Sequence, residues 1–170
     1  MTSMSNRALA AARPVIQGLT VLNILYIAGL VLLLGFSFFI AGWPERPLGF
    51  DLAKAHPQIG TGLRAIVIIG IVAAIIVHAI LRRLLAIVDS VRGGDPFILE
   101  NARRLDAIAW SVLALEASRM LVIGIAAAVW EPGRLGGFSI APWFAVLMLF
   151  VLSGVFAHGA RMRADLEGTV

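Results

Sequence analysis

Apolar residues fill four long stretches of this chain, and charged residues gather between them. No charge occurs between Arg13 and Glu45. A membrane-crossing helix needs about 20 apolar residues, so this stretch predicts a first helix from Pro14 to Gly42. Pro14 suits the first helical turn, where its missing N–H costs nothing. Trp43-Pro44 supplies an interfacial aromatic followed by a breaker. The apolar run is too long for a secretory leader, whose core spans about 7–15 residues, and reads as a retained span. A second helix starts near Leu63 and is free of charge from Ala65 to Leu81. A third runs from about Ala107 to Trp130 and stops at Glu131-Pro132-Gly133. A fourth runs from about Pro142 to Ala160, before a short charged tail from Arg161 to Val170. The expectation is an all-α membrane protein: one domain over residues 1–170, a four-transmembrane-helix bundle with spans at about 15–42, 63–82, 107–130 and 142–160.

The second helix need not stop at Leu81. Leu84, Ile87, Val88 and Val91 continue one apolar stripe at helical spacing. A helix from Leu63 to Arg92 would be about 45 Å long at 1.5 Å per residue, against a hydrocarbon core of about 30 Å. Its last turns should therefore project beyond the membrane. Gly93-Gly94 stops it, and Asp95-Pro96 reads as an N-cap followed by a proline at the first helical position. Ile98, Ala102, Leu105 and Ala109 then recur on one face, with Glu100, Asn101, Arg103 and Arg104 on others. The segment 83–106 is expected to form a cytoplasmic helical hairpin extending helices two and three. The loop over about 44–62 is rich in Pro and Gly, holds Glu45, Arg46, Asp51, Lys54 and His56, and resembles no folded domain.

Composition sharpens this picture. Hydrophobic residues make up 60% of the 170-residue chain and charged ones 14%, against about 25% charged in soluble domains. The net charge of +4 raises a nucleic-acid reading, but the basic residues flank apolar blocks, as the positive-inside rule requires. Nine Lys and Arg fall in the N-tail, central segment and C-tail, and four in the other two loops. Both termini and the central segment are thus expected on the cytoplasmic side. Trp43, Trp130 and Trp143 then share the outer interface and Trp110 the inner one. The absence of cysteine excludes disulfides and thiolate chemistry.

Glu116 and Arg119 stand out within the third span. Three residues apart, they share a helix face, and ionisable groups at membrane depth are costly and functional by default. A structural ion pair outweighs a proton or ion relay here, because the polar residues available as relay partners are few: Gln17, Asn23, Ser37, Ser111, Ser118, Ser139 and Ser153. His78 and His158 are both read as lying near the cytoplasmic ends of their helices, at one level. A metal would want further ligands, and capping is the favoured role. The pairs Gly70–Ala74, Gly124–Ala128 and Ser153–Ala157 permit close helix approach, with internal packing favoured over dimerisation. No nucleotide, phosphate, hydrolase or zinc motif occurs, and neither enzymatic activity nor a cofactor or metal is expected.

The central segment "LRRLLAIVDSVRGGDPFILENARRLDAIAW" and the ending "ARMRADLEGTV" resemble the DUF2975 family of uncharacterised bacterial membrane proteins. The matching positions are Ile87, Ser90, Val91, Gly94, Pro96, Phe97, Asn101, Arg104 and Leu105, with the tail run Asp165 to Val170. The resemblance covers the whole chain in layout and is specific in the central segment and tail. It implies four spans and no established activity. Members are often encoded beside a small Xre-type helix-turn-helix regulator, which implies a membrane partner of such a DNA-binding protein. Phe97 and Ile98 would then anchor the partner, with Asn101, Arg103 and Arg104 as polar contacts and no direct nucleic-acid binding. Against this stands a purely architectural role for the same residues in building the turn. The rival function is a small oligomeric transporter or channel subunit that uses Glu116 and Arg119.

Overall fold

In the computed structural model, residues 2–40, 59–94, 96–129 and 139–167 are described. They form four helices and no strand: α1 (Thr2–Phe39), α2 (Ile59–Arg92), α3 (Leu99–Val129) and α4 (Ala141–Glu167). Each is long and apolar enough to cross a membrane. Their outward faces are apolar: Leu22, Leu25 and Phe39 are 62%, 64% and 89% exposed. In water such faces would be expensive, whereas lipid is as apolar as the side chains themselves.

Several boundaries differ from those the sequence predicts, each for a local reason. Pro14 lies inside α1, which begins at Thr2. Proline in a helix interior removes one backbone hydrogen bond, and the helix runs through that loss instead of starting there. α2 begins four residues early, because Ile59, Gly62 and Leu63 are buried. α3 begins at Leu99, so Pro96 is not its first residue; Pro96, Phe97 and Ile98 form a short non-helical link. α4 continues past Ala160 through most of the charged tail. The predicted interfacial Trp43 and Trp130, the loop acids and bases and the cap residue Asp95 lie outside the described residues.

Packing follows chain order. α1 packs on α2, α2 on α3 and α3 on α4, and among the described residues α1 and α4 make no contact. The bundle is therefore open along one side. Polar side chains tie each neighbouring pair. Arg13 pairs with Asp89 at 3.3 Å, and the Asn23 amide donates to the Ala74 carbonyl at 3.0 Å. At the far end of α1, Arg64 donates to the Ser37 carbonyl at 2.7 Å and lies 5.0 Å from the Phe38 ring centroid. A cation thus sits on a carbonyl in the last turn of α1, where the helix dipole favours it. Ser153 donates to the Ala102 carbonyl at 2.9 Å, joining α4 to α3.

The small-residue pairs divide. Gly70 faces Leu30 of α1 and Ala74 is buried, and Ser153 faces α3, so both of these pairs serve internal packing. Gly124 and Ala128 are exposed.

Candidate functional site

The α2–α3 turn is built around one buried amide. Asn101 is fully buried. Its Nδ2 donates to Ser90 Oγ at 2.6 Å and to the Pro96 carbonyl at 3.0 Å. Its Oδ1 accepts from Arg104 Nη1 at 2.9 Å. The partners fix the amide's orientation, since a guanidinium only donates and a carbonyl only accepts. Ser90 in turn donates to the Ile87 carbonyl at 2.8 Å. A buried polar group left unpaired costs more than a made bond returns, so this network holds the turn in one geometry. Gly94 completes it with a φ of +95°, in the left-handed region that only glycine enters freely.

Five residues are candidates for contacting a partner, and the turn places them differently. Asn101 lies inside, and Arg104 is drawn onto it with 25% of its side chain exposed. Arg103 points outward, its side chain 73% exposed, and comes no nearer than 4.0 Å to Glu100. Ile98 is half-buried. Phe97 is 45% exposed and rests one face on α4, with its ring centroid 5.2 Å from that of Phe156. Gly159 permits that approach: a Cβ there would stand 3.0 Å from the Phe97 ring.

Deeper in the bundle, Glu116 is 4% exposed. Arg119 holds it with two parallel hydrogen bonds, Nε to Oε2 at 2.9 Å and Nη2 to Oε1 at 2.5 Å. This fork geometry is the strong form of the carboxylate–guanidinium contact. Counting along the antiparallel helices from the Ser90–Asn101 and Arg83–Ser111 contacts sets His78 level with Leu113 to Glu116, within one turn. His78 Nδ1 is buried and finds no hydrogen-bond partner among the described residues. His158 instead lines a groove with Phe97 at the turn end, so the two histidines do not share the level the sequence suggested. No three His, Asp or Glu side chains gather into a ligand set among the described residues.

The sequence missed the burial of Asn101 against Ser90, the cross-links from Arg13, Asn23 and Arg64, and the level shared by His78 and Glu116. All of these depend on helix register, which single-sequence periodicity does not carry.

The fold and these sites define a multi-pass integral membrane protein with four apolar helices. The chain belongs to the DUF2975 family, described as proteins of unknown function, whose profile matches residues 6–170. No curated protein and no solved structure matches it.

Proposed function

We propose that this is a non-enzymatic membrane protein whose α2–α3 turn docks a cytoplasmic partner, a small Xre-type helix-turn-helix regulator. The observation that carries the reading is the half-exposed Phe97 on a turn held rigid by the buried Asn101. An exposed aromatic on a fixed scaffold is the usual form of an interface anchor. Arg103 beside it supplies an outward charge. The Arg excess at this end favours the cytoplasmic side, where such a regulator would be. In this reading Asn101 and Arg104 position the docking residues and do not touch the partner. The test is co-purification from native membranes in mild detergent. Replacing Phe97 and Arg103 together by alanine should abolish capture of the regulator while the bundle stays folded. Undiminished capture by that variant would sink the proposal.

A second reading, a subunit of a small oligomeric transporter or channel, rests on the buried Glu116 and the unpartnered His78 nitrogen at its level. Purified protein in liposomes should then move protons or ions above an empty-vesicle control, and Glu116→Gln should reduce that flux. Flux equal to the control would dismiss it.

A further inference from the structure

We propose that two copies of this chain pair in the membrane through α1, about a twofold axis along the membrane normal, a property that goes beyond the docking role. The observation that carries it is a polar pair at mid-span with hydrogen bonds left to make. The Asn23 amide donates to the Ala74 carbonyl at 3.0 Å. Ala74 is central to the charge-free run of α2 from Ala65 to Leu81, and Tyr26 is central to the apolar stretch Ala11–Phe39 of α1. Both side chains therefore lie near the middle of the hydrocarbon. Tyr26 is 57% exposed there. Its hydroxyl makes no hydrogen bond with any described residue, and Asn23 Oδ1 accepts none from them. Tyrosines of membrane proteins gather at the interfaces, where the hydroxyl meets water. At mid-span the interface is about 15 Å away, half of the roughly 30 Å core. A polar group left unmet in hydrocarbon is costly.

The pair is complementary to itself. Tyr26 brings a donor, and Asn23 brings an acceptor one helical turn earlier. Side chains on a helix lean toward its N-terminus, so the Tyr26 hydroxyl reaches back to the level of Asn23. Copies of a membrane protein share one orientation, so a twofold axis relating them runs along the membrane normal and sets equal levels side by side. Each Tyr26 then donates to Asn23 of the other copy, twice per dimer. Hydrogen bonds of this kind help to hold membrane helices together. The surrounding surface suits a helix. Leu19, Leu22, Tyr26 and Gly29 recur at spacings of three and four on the exposed side of α1, the seam pattern of paired helices. A Cβ on Gly29 would meet nothing within 4 Å in its own chain, which leaves room for a close approach. Beside the seam, a groove of about 690 Å³ bounded by α1 and by Val77 and Leu81 of α2 receives side chains of the second α1. α1 ends the row of helices, and no described residue of α4 covers it. Acyl chains fill such a groove too, but they carry no hydrogen-bonding group at this depth and leave both polar groups unmet.

The test uses the full-length protein in phosphatidylcholine liposomes, with Ser5→Cys as its single cysteine for a fluorophore, over a dilution series in lipid. Energy transfer between donor-labelled and acceptor-labelled copies gives the dimer fraction. The expected result is transfer above the level of random proximity that falls on dilution. Tyr26→Phe should raise the dissociation constant about eightfold, the factor for two interhelical hydrogen bonds of about 0.6 kcal/mol each. Gly29→Leu should abolish transfer, and Val155→Phe on the exposed face of α4 should change nothing. In unlabelled protein, Leu22→Cys should cross-link to its own counterpart under mild oxidation, and Val155→Cys should not. Circular dichroism checks that each variant folds. Tyr26→Phe breaks no hydrogen bond within the chain, so it decides alone if Gly29→Leu fails to fold. Transfer at the random level at every dilution would overturn the proposal, as would a dimer untouched by Tyr26→Phe. So would a lipid-soluble small molecule that the monomer retains and Tyr26→Phe releases, because the groove would then have a different occupant.

Discussion

At the scale of single residues, Asn101 sets the geometry of the turn. Asn101→Ala takes a donor from the Pro96 carbonyl and takes from Arg104 Nη1 its acceptor at 2.9 Å. Burying unpaired groups costs about 1–3 kcal/mol, so the unfolding midpoint in detergent should fall. Ser90→Ala should cost less, and the double variant should lose less than the sum of the two. An additive result would mean the contact is not coupled. Glu116 belongs to the same scale. Glu116→Ala takes from Arg119 the carboxylate that it grips within the span, and removing one member of such a pair does more harm than removing both. The variant with leucine at both 116 and 119 should therefore melt higher than Glu116→Ala alone. From the sequence Asn101 reads as a polar-face residue, because hydrophobicity alone assigns it outward. Its burial follows only from the turn bringing Ser90 opposite it. The Glu116–Arg119 pair was legible, since a three-residue spacing on a helix fixes the contact without any tertiary information.

At the scale of elements, the α2–α3 turn depends on Gly94. Gly94→Ala forces a side chain into the left-handed region at about 1–2 kcal/mol, and thermal unfolding should register the loss. Gly159→Ala acts from the other side of the same unit. The added methyl meets the Phe97 ring at 3.0 Å, so the ring must give by a few tenths of an ångström. Fluorine NMR on a fluorinated Phe97 should report the displacement, and an unchanged spectrum would contradict the packing. The existence and order of the four helices were legible, because about 20 apolar residues without charge leave little alternative. Their ends were not. Proline and glycine mark where helices often stop, yet α1 runs through Pro14 and α4 through a charged tail. In each case neighbouring turns keep the helix going past a local break signal.

For the whole molecule, the open row of helices and the small protein interior make lipid a structural partner of every helix. From the excess of Lys and Arg at these segments we propose that both termini and the α2–α3 turn lie together on the cytoplasmic side. The docking proposal needs that arrangement, because Phe97 meets a cytoplasmic regulator only if the turn is inside. The chain has no cysteine, which makes labelling of introduced cysteines direct. Single cysteines replacing Ser5, Gly93, Arg161 and Lys54 would be probed in intact cells with a membrane-impermeant maleimide, then again after permeabilisation. Ser5→Cys, Gly93→Cys and Arg161→Cys should label only after permeabilisation, and Lys54→Cys should label in intact cells. Labelling of Gly93→Cys in intact cells would put the turn outside and contradict the account.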